Sequence, residues 1–290
     1  MKEVKMKNKI MFTLFIIILV AFFSSDNYSQ QQNVLSKDGV RINFFVEGKG
    51  EPALIFIHGW SCDKSYWENQ VKEFSPKYKV VTIDLAGHGE SGMNRKNYTM
   101  ELFGEDVAAV VNELGLKKVI LIGHSMGGVV VIEAARILKD KVIGLVGADT
   151  FQNLGETMTA DQIEPFLKPF KENFSSHAKE FVKSMFPPSA NPVLVKKVSD
   201  DMASAPPEVA ISAMENMFKD NAITALKEID VPIISINCYL YPVREEENRK
   251  LVKSYELKMM KGVGHFVMLE DSAKFNQLLH EAITELSEKN

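Results

Sequence analysis

Short runs of consecutive apolar residues recur along the chain, without the polar alternation of a strand that has one face in water. Runs of this kind, rich in Val and Ile, are typical of strands that are buried on both faces of a sheet. They lie at 53–57, 80–83, 119–122, 142–146 and 233–236. The pattern predicts a buried sheet whose strands are mostly parallel.

Helical patterns separate several of these runs, notably over 99–114 and 127–139. Alternation of strand and helix is typical of a parallel, doubly wound sheet, so the predicted fold class is α/β. Near the start of the chain, the extended segments 34–40 and 41–46 meet close to Asp38-Gly39. Because Asp-Gly favours a tight turn, we expect these two segments to form a hairpin.

The alternation stops between about 151 and 226, in a stretch that is rich in Phe, Met and Pro. Its pattern predicts broken helices with apolar faces, which we interpret as a helical lid inserted into the sheet domain. The alternative is a plain helical segment whose Met and Phe side chains only pack on each other. The core then comprises 32–150 and 227–290, and it ends with a strand at 255–260 and a helix at 271–288.

Residues 1–31 have the pattern of an export signal. Four of the first nine residues are lysines, and 10–23 is an almost unbroken apolar run that ends at a polar segment. This order is typical of a secretory signal, whereas a membrane-spanning helix needs about 20 apolar residues. We expect cleavage between Phe23 and Gln32, export to the periplasm or the cell exterior, and no membrane span in the processed protein. A retained N-terminal anchor is the alternative.

Charge and cysteine content narrow the function classes further. With 34 Lys and Arg against 38 Asp and Glu in 290 residues, the formal net charge is −4, which argues against a nucleic-acid partner. The two cysteines, Cys62 and Cys238, form no Cys-x-x-Cys pair, so neither a disulfide scaffold nor a zinc ribbon is predicted. We expect both thiols to be free, and we expect neither a metal nor another cofactor.

The pentapeptide Gly123-His124-Ser125-Met126-Gly127 carries the strongest chemical pattern in the chain. It follows a predicted strand and precedes a predicted helix, which is the context in which Gly-x-Ser-x-Gly presents a nucleophilic serine. The sharp turn strains the backbone of the serine and leaves no room for side chains at Gly123 and Gly127. Ser125 is therefore the predicted nucleophile, and a structural turn serine is the alternative.

With this motif the chain resembles the α/β-hydrolase family, in particular its lid-containing serine esterases and lipases, from about Val40 to the C-terminus. Three further segments carry the resemblance: His58-Gly59-Trp60, the run 84–91 and the run 262–266. They are similar to the family's oxyanion loop, its Asp-x-x-Gly-His-Gly-x-Ser loop and its histidine loop. The resemblance implies an α/β-hydrolase fold with a helical lid, and an oxyanion hole made by the backbone N–H groups of Trp60 and Met126.

The family's chain order, serine then acid then histidine, restricts the general base to histidines after Ser125. His177 lies in the predicted lid and His280 lies on the closing helix, so His265, in a loop after the last strand, is the predicted base. Three earlier histidines are predicted to brace turning loops instead: His58, His88 and His124.

The acid departs from the family's pattern. The usual aspartate follows the strand after the lid, but the corresponding stretch 236–242 reads Ile-Asn-Cys-Tyr-Leu-Tyr-Pro. Some family members place the acid one strand earlier, and Asp149 follows that strand at the carboxyl edge of the predicted sheet. We therefore predict Asp149 as the acid, although a capping aspartate is the alternative role. The reserve candidates are Glu245, Glu246 and Glu247.

These residues predict transfer of an acyl group to water through an acyl-enzyme, without a cofactor. Serine at the nucleophile position disfavours the aspartate-based haloalkane dehalogenase and epoxide hydrolase reactions of the family. An apolar lid indicates an uncharged, hydrophobic small molecule as the substrate, such as a lipid-like ester or a bulky lactone. The alternatives are a peptidase, a carbon–carbon bond hydrolase, and a ligand-binding protein without turnover, which Tyr239 and Tyr241 suggest.

Overall fold

An eight-stranded sheet forms the centre of the residues that the structure describes, which are 30–155, 157–220 and 222–288. In this computed structural model the strands are β1 (Gln30–Leu35), β2 (Arg41–Glu47), β3 (Ala53–Ile57), β4 (Val80–Ile83), β5 (Val119–His124), β6 (Val142–Ala148), β7 (Ile233–Cys238) and β8 (Tyr255–Met260). Their order across the sheet is β1-β2-β4-β3-β5-β6-β7-β8. β1 and β2 form the predicted hairpin and β2 is antiparallel to β4, whereas all other pairs are parallel. The predicted α/β class is confirmed.

Helices follow most of the strands. They are α1 (Glu68–Phe74), α2 (Met100–Glu113), α3 (Met126–Leu138), α4 (Ala160–Glu172), α5 (Phe174–Lys183), α6 (Pro192–Met202), α7 (Pro207–Lys219), α8 (Ala222–Leu226), α9 (Glu245–Leu251), α10 (Val267–Glu270) and α11 (Ser272–Glu288). Short 3-10 helices lie at Lys64–Trp67 and Lys139–Lys141. Every residue of β3, β5 and β6 is buried, so helices cover both faces of the middle of the sheet.

Three strands, β5, β6 and β7, run two residues further than the apolar pattern predicts. The added residues are less apolar, but their backbones continue the pairing between strands. Gly123-His124 pairs with Gly147-Ala148, and Asn237-Cys238 pairs with β8. Because the three strands are parallel, their carboxyl ends meet at one edge of the sheet. The loops that carry Ser125 and Asp149 begin at this edge.

Helices α4 to α8 lie between β6 and β7, within the stretch that the sequence predicts to be helical. The backbone breaks at Asn173, whose side chain caps α5 by accepting a hydrogen bond from the N–H of Ser176 (3.3 Å). Apolar side chains such as Leu167 and Phe170 are buried against the rest of the domain. Residues 160–226 are called the helical insertion below.

The predicted export signal falls on residues outside the described ranges, apart from its last two. Gln30 and Gln31 begin β1 and pair with Val46 and Phe45, so the sheet starts two residues before the predicted start of the core. None of the helices in the described ranges is long and apolar enough to cross a membrane.

Candidate active site

Ser125 lies at the turn between β5 and α3, where the backbone has the conformation that a nucleophile elbow requires. Its φ is +51°, a left-handed value that costs about 1–3 kcal/mol for a residue with a side chain. A Cβ on Gly123 would lie 2.2 Å from the carbonyl oxygen of Gly127, and one on Gly127 would lie 2.7 Å from that of His58. Larger residues at either glycine would therefore disrupt the turn, as the sequence predicts.

His265 and Asp149 form a short hydrogen bond at the same edge of the sheet. The Nδ1 atom of His265 lies 2.6 Å from Oδ2 of Asp149, at the short end of hydrogen bonds to a carboxylate. Both side chains are buried, with 9% of His265 and 1% of Asp149 exposed. Because Asp149 occupies Nδ1, the other ring nitrogen is left to exchange a proton with a hydroxyl. Ser125 and His265 line one cavity, so the three predicted catalytic side chains are brought together.

The end of β7 positions the Asp149 carboxylate. Oδ1 of Asp149 accepts a hydrogen bond from the N–H of Cys238 (2.8 Å), and the N–H of Asp149 donates to the carbonyl of Ile236 (2.9 Å). The strand that carries the usual acid of the family thus supplies donors and acceptors to an acid on its neighbour. Glu245, in contrast, is paired with Arg249 in an exposed contact on α9.

Buried polar groups hold the backbone after Asp149, where φ is positive at Asp149 (+45°) and Phe151 (+62°). The side chain of Asn237 accepts a hydrogen bond from the N–H of Thr150 (3.2 Å). The side chain of Asn248 donates to the carbonyl of Phe151 (2.7 Å). Sequence reasoning did not identify Asn237 and Asn248. An asparagine inside the apolar strand 233–238 was a usable signal for the first of them.

The loop that carries His265 is fixed by its neighbours. The carboxylate of Glu270 accepts hydrogen bonds from the N–H groups of Gly264 (2.9 Å) and Phe266 (3.2 Å), on either side of the histidine. His265 itself donates its N–H to the carbonyl of Met185 in the helical insertion (2.9 Å). Burial raises the pKa of Glu270 above its usual range. Sequence reasoning also missed Glu270, which lies only five residues beyond His265.

The two predicted oxyanion donors flank Ser125. Met126 is the first residue of α3, so its N–H has no acceptor within the helix and lies at the positive end of the helix dipole. The loop of Trp60 lies directly against the elbow, since a Cβ on Gly59 would approach Cβ of Ser125 to 3.2 Å. The indole N–H of Trp60 donates to the carbonyl of Ala210 in the helical insertion (2.7 Å).

The three earlier histidines bond to backbone groups, which is the bracing role predicted for them. Nε2 of His58 accepts the N–H of Leu85 (3.1 Å), and Nδ1 of His88 lies 3.0 Å from the carbonyl of Ala86. Nε2 of His124 lies 3.0 Å from the carbonyl oxygen of His265. Burial lowers the pKa of His58 to about 4 and that of His88 to about 3, so both rings are neutral near pH 7.

Lowering the pH from 7 to 5 is expected to destabilise the fold through His58 and His88. In the unfolded chain both rings gain protons near the ordinary pKa of about 6.5, whereas in the folded chain they stay neutral down to about 4 and about 3. The unfolded state therefore binds more protons below about pH 6.5, and each histidine removes up to about 2 kcal/mol of unfolding free energy by pH 5. Urea titrations at several pH values measure this slope.

The variant His88→Gln measures how much His88 contributes to the change of unfolding free energy with pH. Because it removes one ring that must be kept neutral, the loss of unfolding free energy between pH 7 and pH 5 should shrink by up to about 2 kcal/mol. Equal slopes for the variant and the wild type would contradict the assignment. His58→Gln provides a second measurement on the neighbouring ring, whose centroid lies 4.9 Å from that of His88.

The space beside Ser125 is small. A cavity of about 60 Å³ lies between the edge of the sheet that carries Ser125 and the helical insertion. It is lined by Trp60, His124, Ser125, Phe181, Met185, Met202, Met214, Met217, Phe218, His265 and Phe266. A larger cavity of about 490 Å³, near Phe45 and Lys64, contains none of the predicted site residues.

Neither a disulfide nor a metal centre is found in the described ranges. Cys62 and Cys238 are buried free thiols. No group of three or more His, Cys, Asp or Glu side chains in the described residues is arranged to bind a metal ion.

Comparison with known proteins identifies the family to which this fold is similar. Residues 54–278 match the model of the alpha/beta hydrolase family. Among curated proteins, 3-oxoadipate enol-lactonase 2 of Acinetobacter baylyi is 25% identical over 209 residues, which cover 71% of this chain and 78% of that protein.

Solved structures of similar fold align with this protein over nearly the whole of their chains. A thermophilic esterase from Thermogutta terrifontis superposes with a TM-score of 0.77 at 23% identity, covering 89% of this chain and 99% of the esterase. An N-acyl homoserine lactone degrading enzyme superposes with a TM-score of 0.75 at 24% identity, covering 86% and 99%. Since the family model spans most of the sequence, the chain belongs to the alpha/beta hydrolase family.

Proposed function

We propose that this protein is a serine hydrolase that cleaves carboxylic esters or lactones of small hydrophobic molecules through an acyl-enzyme. One observation carries the proposal: Nδ1 of His265 lies 2.6 Å from Asp149, and His265 lines the same cavity as Ser125. This arrangement supports the assignment of Ser125 as the nucleophile, His265 as the base and Asp149 as the acid.

The first half of the reaction forms the acyl-enzyme. Nε2 of His265 takes the proton of the Ser125 hydroxyl, and Oγ attacks the carbonyl carbon of the substrate. The N–H groups of Trp60 and Met126 bind the resulting oxyanion, and each such donor is worth about 3–4 kcal/mol in the transition state. The imidazolium, stabilised by Asp149, then donates its proton to the leaving oxygen as the carbon–oxygen bond breaks.

The second half repeats these steps with water. His265 takes a proton from water, and the hydroxide attacks the carbonyl carbon of the acyl-enzyme. The same proton then passes from His265 to Oγ of Ser125 as the acid leaves. The number of protons on the enzyme is unchanged after one turnover, so no further co-reactant is required.

Several relatives support ester or lactone cleavage, although epoxide hydrolases are also among the similar proteins. The similar proteins include an enol-lactonase, an esterase and a lactone degrading enzyme. The bond between His265 and Asp149 also favours an enzyme over a ligand-binding protein that has lost turnover, because binding alone requires no oriented imidazole.

We also propose that the protein is exported. The proposal rests on the lysine-rich start and on the apolar run 10–23 of the sequence. Cell fractionation followed by N-terminal sequencing of the mature protein tests it. A cytoplasmic protein that keeps Met1 would contradict it.

The catalytic proposal is tested with a panel of nitrophenyl esters, alkyl esters and lactones, together with labelling by a fluorophosphonate. Turnover of at least one class and a single label on Ser125 are expected. Absence of both the label and any turnover would refute the proposal.

A further inference from the structure

We propose that this site selects esters with a short acyl group and a bulky, apolar alcohol. The inference rests on the proposed function and adds the substrate class to it. Two features of the described residues carry it: the small, partly enclosed cavity beside Ser125, and an exposed apolar patch beside His265.

The two halves of an ester have different steric needs. The alcohol departs while the acyl group is still bonded to Ser125, so it requires an open path to solvent. The acyl group stays until water releases it as an acid, and it can occupy a closed space meanwhile. The small cavity under the helical insertion is thus suited to the acyl group, and the exposed surface beside His265 is suited to the alcohol.

The cavity beside Ser125 suits a short acyl chain. Its volume is about 60 Å³. In this measure one water molecule needs roughly 10–15 Å³, and a cavity that admits benzene measures about 150 Å³. The space therefore suits an acyl group of a few carbon atoms and is too small for an aromatic ring or a long chain.

The aromatic walls of this cavity resist widening. The ring of Phe181 packs against Trp60 (6.1 Å between centroids), and that of Phe218 packs against Phe166 (5.0 Å). Trp60 is fixed in turn by its bond to Ala210. Among the lining residues, the four methionine side chains are the ones that can rearrange most easily, because they take part in none of these aromatic contacts or hydrogen bonds. Met214, which is 2% exposed, is among the most buried of them.

An apolar patch lies beside the histidine. It consists of Tyr239, Leu240 and Tyr241, which are 59%, 40% and 38% exposed. Three consecutive large apolar side chains at the surface are unusual away from a binding site. The ring of Tyr241 contacts that of His265 edge to face, with 6.0 Å between their centroids. Since His265 protonates the leaving oxygen, an apolar alcohol held at that oxygen extends over this patch.

The same geometry disfavours lactones that carry a long substituent on the acyl side. In a lactone the acyl chain and the alcohol are one ring, and any substituent next to the carbonyl lies on the acyl side. A cavity of about 60 Å³ does not accommodate it. Open esters are therefore the favoured substrates within the class.

The acyl half of the inference is tested with nitrophenyl acetate, butyrate and octanoate, which share one leaving group. We expect kcat/KM to fall at least about tenfold from acetate to octanoate. Met214→Ala, or Met217→Ala if the first variant does not fold, should reduce that preference about tenfold. Met100→Ala, which removes an equally buried methionine on α2, is the control and should keep it.

The alcohol half is tested with methyl, benzyl and naphthylmethyl acetate, whose alcohols are similar in acidity and differ in apolar area. We expect kcat/KM to rise at least about tenfold along the series. Leu240→Ala should reduce this rise about threefold to tenfold, mainly through KM. Leu35→Ala makes the same change on exposed strand β1 and should leave the rise intact.

The outcomes separate this inference from the proposed function. Turnover that depends on Ser125 but is equal for acetate and octanoate, or equal for methyl and benzyl acetate, overturns the inference alone. Equal effects of Leu240→Ala and Leu35→Ala overturn the role of the patch. No turnover of any ester, with no label on Ser125, overturns the proposed function and this inference with it.

Discussion

Replacing Ser125 by alanine is expected to lower kcat for the best ester substrate by a factor on the order of 10⁴–10⁶. The variant keeps the oxyanion donors and the substrate cavity but lacks the oxygen that forms the acyl-enzyme. Steady-state hydrolysis and burst kinetics measure the effect, and both the burst and the fluorophosphonate label should vanish. KM should change little, because no binding contact is removed.

Ser65→Ala is the matched control, since Ser65 is an exposed serine on the 3-10 helix after β3. It should hydrolyse esters at the wild-type rate. Both variants should unfold cooperatively within a few degrees of the wild type. Substantial activity in Ser125→Ala would mean that another group attacks the substrate, and the proposed mechanism would then be wrong.

Replacing Asp149 by asparagine is expected to lower kcat by a factor on the order of 10³–10⁴. The amide is nearly the same shape and can still accept the N–H of Cys238, so the fold should persist. It cannot stabilise the imidazolium of His265 by charge, and it can leave the ring in the wrong tautomer. Single-turnover kinetics at several pH values measure the loss in the chemical step.

Glu245→Gln tests the alternative acid with the same change from carboxylate to amide. Glu245 is paired with Arg249 on the surface of α9, so this variant should retain full activity. A large loss in Glu245→Gln together with normal activity in Asp149→Asn would reverse the assignment of the acid. The two variants therefore decide between the candidates that the sequence alone left open.

Much of the fold follows from simple patterns. β3 and β4 begin and end where the apolar runs predict, because strands buried on both faces are rich in Val, Ile and Leu. The turn at Ser125 is predictable because glycines are required on both sides of it. The family model confirms the resemblance on which the fold was assigned.

The supporting groups of the site were harder to predict because they act over long sequence distances or through the backbone. Asn237 and Asn248 reach the Asp149 turn from about ninety residues away, and no local pattern relates them to it. The carbonyls of Met185 and Ala210 are peptide groups, so no side-chain type marks them. The volume beside Ser125 depends on how the helical insertion packs, which its Phe and Met content does not specify.

The carbonyls of Met185 and Ala210 restrict how the helical insertion can be exchanged for that of a relative. The backbone N–H of His265 and the indole N–H of Trp60 each donate a hydrogen bond to a carbonyl of the helical insertion. This segment therefore helps to hold the predicted site in place as well as covering it. A chimaera that replaces residues 160–226 by the corresponding segment of a relative must present acceptors at the same two points.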